Sequence, residues 1–120
     1  LPGRVAAAEL DLDALIAQAP AIGDKPNFSA FPVAKEDFAF VVDAQLPAAE
    51  LISAIDGSTE LLESVRLFDV YTGDQVGVGS KSLALAVRLR AADHTLTDAQ
   101  IKAAREKIVE AARAVGAELR

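Results

Sequence analysis

Large apolar side chains alternate with small or basic ones along residues 82–90, SLALAVRLR. One set of positions holds Leu83, Leu85, Val87 and Leu89, and the other holds Ser82, Ala84, Ala86, Arg88 and Arg90. Successive side chains of a β-strand point to opposite faces, so this pattern predicts a strand. One face of that strand belongs to a core, and the other consists of small residues followed by basic ones.

Three other segments have the pattern of strands. In DFAFVVD, residues 37–43, three large apolar side chains alternate with smaller or acidic ones. LLESVRLFDVY, residues 61–71, is rich in β-branched and aromatic residues. A glycine-rich stretch, TGDQVGVGSK, connects this segment to the strand at 82–90, and AELR at 117–120 predicts a short last strand.

Two segments have helical periodicity. LPAAELISAI places its large apolar residues on one side and has Pro47 at a position suited to the first helical residue. A longer helix is predicted over residues 98–115, preceded by a capping box in which Thr97 is the N-cap and Gln100 follows three residues later. Gly116 stands where a residue of left-handed conformation would end that helix.

These elements follow one another in the order β-α-β-β-α-β. This is the ferredoxin-like arrangement, an α+β fold in which a four-stranded antiparallel sheet carries two helices on one face. The large apolar strand faces are expected beneath the helices, because only burial accounts for so many large apolar side chains. The second face of the sheet, called the open face below, is then left without helices.

The first part of the chain is predicted to lie outside this fold. RVAAAELDLDALIAQ has the pattern of a short strand running into a short helix capped by Asp11 or Asp13, and the following APAIGDKPNFSAFP has no period. We therefore divide the chain into the tail of a preceding domain at 1–24, a linker at 25–33 and the main domain at 34–120. The chain contains no methionine and starts with leucine, which leads us to expect a fragment of a longer protein.

The open face is predicted to be a shallow patch of small side chains. The first and third strands contribute Asp37, Ala39, Val41, Ser82, Ala84, Ala86 and Arg88. The second strand is expected to bury Phe68 and Val70 and to turn Val65, Leu67, Asp69 and Tyr71 outward. A flat group could lie close to such a patch, and Asp69 and Ser82 offer hydrogen bonds to the edge of a nucleic-acid base. Small side chains on a solvent-facing strand can equally have no ligand, and the pattern alone leaves both interpretations open.

Composition and charge narrow the classes of protein. There is no cysteine and only one histidine, which excludes thiol chemistry and argues against a histidine metal site. With no long apolar segment, we expect a soluble, cytoplasmic protein. The net charge of −6 argues against a nucleic-acid ligand, but residues 1–80 carry four Lys/Arg against thirteen Asp/Glu, whereas residues 81–120 carry eight against five. Any polyanion partner would therefore have to meet the last third of the chain, and an acidic domain with a mixed helix face and no such partner accounts for the charge equally well.

No catalytic constellation can be assembled from these residues. Asp37 and Asp43 share a strand face but lie six residues apart, too far for a pair of catalytic carboxylates. GVGSK has part of the pattern of a phosphate-binding loop, but it leads into a strand rather than a helix. His94 is expected to be a solvated loop residue. An enzyme is thus the least favoured class.

Several segments together resemble one family. FPVAKEDFAFVVD, ELLESVRLFDVYTGDQVGVGSKSLALAVRLR, TLTDAQI and GAELR, in that order, are similar to the ferredoxin-fold anticodon-binding domain. In bacteria this domain ends the β subunit of phenylalanyl-tRNA synthetase. The resemblance covers roughly residues 28–120, and the preceding LPGRVAAAELDLDALI looks like the end of the non-catalytic core that comes before this domain.

The resemblance implies a ligand and partners. The domain would bind the anticodon stem-loop of tRNA-Phe and be non-catalytic by itself, with ATP and magnesium expected only for the parent α2β2 enzyme and its α subunit. Family matches fall on Ala39, Asp69 and Ser82 as the surroundings of the first anticodon base, with Tyr71 at the border of the patch. Lys81, Arg88 and Arg90 would neutralise phosphates.

An alternative from another class stays open. Ferredoxin-like domains also act as protein-interaction or ligand-sensing modules that use the open sheet face, and fold alone does not separate the two functions. RNA binding weakens steeply with salt, whereas association through a patch of alanine and valine would tolerate salt and depend on protein concentration.

Overall fold

The computed structural model describes residues 3–19 and 29–120. Residues 25–28 of the predicted linker, and residues 20–24 of the predicted tail before it, lie outside these ranges. Within them the chain forms a four-stranded antiparallel sheet and three α-helices.

The sheet has the predicted topology. Its strands are β1 (Ala34–Asp43), β2 (Leu62–Tyr71), β3 (Ser80–Leu89) and β4 (Glu118–Leu119), and they lie side by side in the order β2-β3-β1-β4. The two central strands, β3 and β1, pair along their whole length, from Ala34 opposite Leu89 to Asp43 opposite Ser80. The ferredoxin-like fold predicted from the element order is confirmed.

Two helices accompany the sheet, α2 (Ala48–Asp56) and α3 (Asp98–Ala114). Thr97 and Gln100 form the predicted capping box, each side chain bonding the backbone N–H of the other residue. Gly116 follows the end of α3 with a φ of 80°, the left-handed conformation expected there. Pro47 is the N-cap of α2 rather than its first helical residue, so that prediction was displaced by one position.

The core lies between the helices and one face of the sheet. It contains the predicted strand residues Phe38, Phe40, Val42, Leu83, Leu85, Val87 and Leu89, together with Leu51, Ile55, Ala104, Ile108, Ala112 and Ala117. Burying these side chains removes the apolar surface that drives folding. The alternation of apolar residues along β1 and β3 therefore predicted correctly which side chains of these strands are buried.

The predicted facing of β2 was wrong over half its length. Val65 and Leu67 pack against the core instead of turning outward, and they lie opposite the buried Val87 and Leu85. The register then shifts between Leu67 and Asp69, because one extra residue is inserted into β2. Such a β-bulge reverses the alternation, so a single parity cannot describe the whole strand.

The first described segment contains one helix, α1 (Leu12–Gln18). Asp11, one of the two predicted caps, accepts a hydrogen bond from the backbone N–H of Ala14 at 3.0 Å. Residues 4–10 form no strand and are exposed. A strand requires a partner to satisfy its backbone groups, and this segment pairs with none of the described residues.

Candidate nucleic-acid interface

The open face carries two shallow cavities. The first, here called the Ser82 cavity, has a volume of about 320 Å³ and is lined by Ala39, Asp69, Tyr71, Gln75, Ser82, Ala84 and Arg120. The second, the Arg88 cavity, has a volume of about 630 Å³ and is lined by Lys35, Asp37, Ser64, Val65, Arg66, Ala86, Val87 and Arg88. They share no lining residue, and each is built from β1, β2 and β3.

Strand pairing assembles the Ser82 cavity. Ala84 lies between Ala39 of β1 and Asp69 of β2, and Ser82 lies opposite Tyr71. The three residues that the resemblance places around the first anticodon base, Ala39, Asp69 and Ser82, therefore line one cavity together with the border residue Tyr71. The bulge in β2 is what brings Asp69 and Tyr71 outward, since the parity of the first half of the strand would have turned them to the core.

The polar groups of the Ser82 cavity are placed for hydrogen bonding. Ser82 is 5% exposed and is the one buried polar residue within the described ranges. Buried hydroxyls normally have a hydrogen-bond partner, so a hydroxyl at the wall of a cavity is a natural contact for a ligand. The Asp69 Oδ1 atom accepts from the backbone N–H of Val70 at 2.9 Å, which orients the carboxylate. A carboxylate has two acceptor oxygens, so Oδ2 remains available to a donor.

Two residues beyond the strands, Gln75 and Arg120, also line the cavity, and sequence reasoning missed both. The Arg120 side chain donates to the Gln75 Oε1 atom at 2.9 Å, and its backbone N–H donates to the Ala39 carbonyl at 2.8 Å. This joins the residue after β4 to the loop between β2 and β3. The ring of Tyr71 occupies the space where a side chain at Gly73 would stand, so the absence of that side chain sets where the tyrosine lies.

The Arg88 cavity combines one predicted cation with two that were missed. Arg88 is exposed, as expected, and lies between Lys35 of β1 and Ser64 of β2. Arg66 lies one open-face row away, opposite Ala86. The predicted parity of β2, with Phe68 and Val70 buried, would also turn Arg66 towards the core. A charged residue at a supposedly buried position was the signal that could have revealed the bulge.

The other two predicted phosphate-binding residues lie elsewhere. Lys81 is on the helix side of the sheet, opposite the buried Val42, because it neighbours the open-face Ser82 in the strand. Its Nζ atom donates to the carbonyl of Ala44 at 2.8 Å.

Arg90 follows β3 and is engaged within the domain. Its Nη1 atom donates to the carbonyl of Ser29 at 2.9 Å, and its Nε atom lies 3.1 Å from the Glu63 carboxylate without the alignment of a hydrogen bond. Its side chain is 23% exposed. Both Arg90 and Lys81 therefore serve the fold, and neither lines the two open-face cavities.

Phe68 is a further residue that the sequence assigned to the core. It is the extra residue of the β2 bulge and is 52% exposed. Tyr71, three residues later, is 39% exposed. This end of β2 therefore carries two exposed aromatic side chains, Phe68 and Tyr71, where one was expected.

Other kinds of site are not found in the described parts of the chain. Residues 3–19 and 29–120 contain no group of three His, Cys, Asp or Glu side chains that could hold a metal ion. None of their helices is long and apolar enough to cross a membrane. His94 is a half-exposed loop residue, as predicted, and its ring contacts Asp93 and Gln100.

Comparison with known proteins identifies the class to which this fold and face belong. Residues 29–120 match the family described as the ferredoxin-fold anticodon binding domain, and the chain belongs to that family. The resemblance noted in the sequence is thereby confirmed.

Individual relatives are more specific. The chain is 55% identical over 113 residues to the phenylalanine–tRNA ligase beta subunit of Thermobifida fusca, covering 93% of the chain. It is 50% identical to the same subunit of Streptomyces avermitilis and 51% identical to that of Cutibacterium acnes, each over the full chain. The matched region spans only 14 or 15% of these relatives' own length.

Proposed function

We propose that the chain is the anticodon-binding part of a phenylalanine–tRNA ligase β subunit and that its open face binds the anticodon stem-loop of tRNA-Phe. The observation that carries this proposal is the Ser82 cavity, which gathers Ala39, Asp69 and Ser82 beside exposed aromatic residues. The family and the relatives' names support the ligand class.

The cavity suits a single unstacked base. Ala39 and Ala84 leave room for a flat ring above the sheet, and Asp69 would accept a hydrogen bond from an amino or imino group of that base. The Ser82 hydroxyl would donate or accept beside it. Tyr71 and Phe68 provide aromatic surface at the edge, on which a base can stack.

The rest of the proposal concerns the parent enzyme. The chain would work in the cytoplasm as one end of a β subunit that assembles with an α subunit in an α2β2 enzyme. ATP and magnesium would act there and not on this domain. Because the chain carries a net charge of −6 and offers one small surface, we expect the isolated chain to bind tRNA weakly, with the remaining affinity supplied by the rest of the enzyme.

The test is a titration of the 120-residue chain with a tRNA-Phe anticodon stem-loop and with a stem-loop whose first anticodon base is changed. The double substitution Asp69→Ala and Ser82→Ala should weaken binding of the native loop by about 1–3 kcal/mol, roughly 5- to 150-fold, and remove the preference for the native base. The matched control is Ser53→Ala with Asp56→Ala, which makes the same chemical change on the exposed surface of α2. It should leave both affinities unchanged.

Two results would contradict the proposal. Equal binding of the two loops that the cavity substitutions leave unaltered would remove the base-reading role. Association of the chain with itself that tolerates salt and rises with concentration, without RNA binding, would favour the protein-interaction alternative instead.

A further inference from the structure

We propose that the Arg88 cavity binds the phosphate backbone of the RNA strand whose base occupies the Ser82 cavity, with Lys35, Arg66 and Arg88 as its cationic ligands. This inference rests on the proposed function and assigns a second site to the same face. Neither Lys35 nor Arg66 was among the phosphate-binding residues predicted from the sequence.

The first support is that these three cations lack a structural partner. Among the other cations of residues 29–120, Arg105 lies 2.6 Å from Glu36 and Arg90 lies 3.1 Å from Glu63. Lys102, Lys107 and Arg113 of α3 have no carboxylate within salt-bridge distance either. Within residues 29–120, no carboxylate lies within salt-bridge distance of Lys35, Arg66 or Arg88. All three are exposed. Nothing in the described fold accounts for their charge.

The second support is repulsion between them. Lys35 and Arg88 are direct cross-strand neighbours on the open face. Like charges directly opposite each other in a sheet are destabilising, and an anion between them reverses the sign of that contribution. Asp37 lies one row away opposite Ala86, so the cavity holds three cations against one carboxylate. Ser64 adds a hydroxyl donor at the β2 side.

The third support is position. Open-face rows are two residues apart along a strand, about 7 Å. Arg66 and Ala86 lie one row from Ala84 in the Ser82 cavity, and Arg88 lies two rows away, at about 13 Å. The two cavities thus divide one surface into a neutral part that suits a base and a cationic part that suits the chain of phosphates next to it.

The experiment measures the salt dependence of binding. The 120-residue chain and its variants are titrated with the anticodon stem-loop and with oligouridylate at several salt concentrations. Each neutralised phosphate contributes about 0.7 to the slope of log K against log salt for a single strand. Lys35→Gln, Arg66→Gln and Arg88→Gln should each reduce the slope by about 0.7, and the triple variant by about 2.

A charge-matched control separates local contact from net charge. The triple variant Lys102→Gln, Lys107→Gln and Arg113→Gln removes the same charge from the exposed surface of α3. It should keep the full slope. All six positions are exposed, so circular dichroism and thermal melting should show folded proteins throughout.

The outcomes distinguish the two proposals. A slope reduced only by the cavity variants, with the preference for the native base retained, supports both sites. An unchanged slope, or an equal reduction in the α3 control, overturns the phosphate site while leaving base recognition standing. Cavity-dependent binding of oligouridylate without any preference for the native loop supports the phosphate site and removes base reading. If the wild-type chain binds neither RNA at low salt, both proposals fail.

Discussion

The two faces of the sheet have different roles, although residues that belong to opposite faces are direct neighbours along β3. Leu85 is fully buried beneath the helices, whereas its neighbours Ala84 and Ala86 lie in the floors of the two open-face cavities. The side chains of the first face form the core that stabilises the domain. Those of the second face are small, which lets a ligand approach the sheet. Stability and binding should therefore respond to different substitutions in the same strand.

The largest expected effect is on the buried face. Leu85→Ala removes a side chain that lies between Phe38 and Leu67 in the core, and it should reduce the free energy of unfolding by about 2–5 kcal/mol. Denaturant unfolding followed by circular dichroism measures this loss. Once the unfolded fraction is taken into account, the preference for the native anticodon loop should be unchanged. A loss of that preference would show that the faces are not independent.

The opposite change on the next residue should give the opposite result. Ala84→Leu fills the Ser82 cavity with a branched side chain while leaving the core untouched. Binding of the native loop should fall at least about tenfold, equivalent to about 1.4 kcal/mol, with little change in the unfolding midpoint. Unaltered binding would mean that no base enters this cavity.

A smaller effect is expected at the edge of the open face. Phe68→Ala removes aromatic surface proposed to stack on a base, and it should weaken stem-loop binding by about 1 kcal/mol, the lower end of the range for stacking because the ring lies at an edge. Val70→Ala is the matched control, since Val70 is 49% exposed against 52% for Phe68 and lies opposite the core residue Leu83. Equal losses in the two variants would contradict a stacking role.

The smallest expected effect concerns a loop outside both faces of the sheet. In the loop before α3, a hydrogen bond from His94, together with its charge, lowers the pKa of Asp93 below its ordinary value of 3.8. A depressed carboxyl pKa stabilises the fold above that ordinary value, and the contribution is lost as the pH falls through the folded-state pKa. In His94→Ala the pKa of Asp93, followed by NMR titration, should rise towards 3.8. An unchanged pKa would mean that His94 is not the cause. The substitution His94→Ala should not alter RNA binding.

Much of the fold was predictable because its strongest elements carry unambiguous local signals. β3 alternates without interruption, and α3 has both a capping box and a terminating glycine, so their faces and ends follow from the sequence. Most of the Ser82 cavity follows as well, because Ala39 and Ser82 lie on strands of regular alternation.

β2 was less predictable because an inserted residue changes the facing of everything beyond it. The buried face of β2 was ambiguous because apolar side chains occur at odd-numbered and at even-numbered positions. The odd positions include Val65 and Leu67, and the even ones include Phe68 and Val70. Neither composition nor periodicity locates a bulge, whose position depends on pairing with β3. The consequence was that Phe68 was wrongly assigned to the core and that the exposed Arg66 was missed.

Charge counted along the chain was also a poor guide to charge on the surface. The last third carries the excess of basic residues, yet Lys35 and Arg66 come from the acidic part. Antiparallel pairing brings both beside Arg88. Arg120 and Gln75 are hydrogen-bonded although they lie 45 residues apart in the sequence, and no local sequence pattern predicts such a contact.

The irregular edge formed by β2 has a consequence for solubility. An uncovered outer strand with an even ladder of backbone N–H and C=O groups is a template on which another chain can add a strand and start aggregation. In β2 that ladder is broken twice, between Leu62 and Ser64 and again at Phe68. Each break leaves backbone groups out of step with any incoming strand. Deleting Phe68 would therefore do more than remove a ring, because it would leave an even ladder from Ser64 to Tyr71 on which another copy of the domain could add a strand.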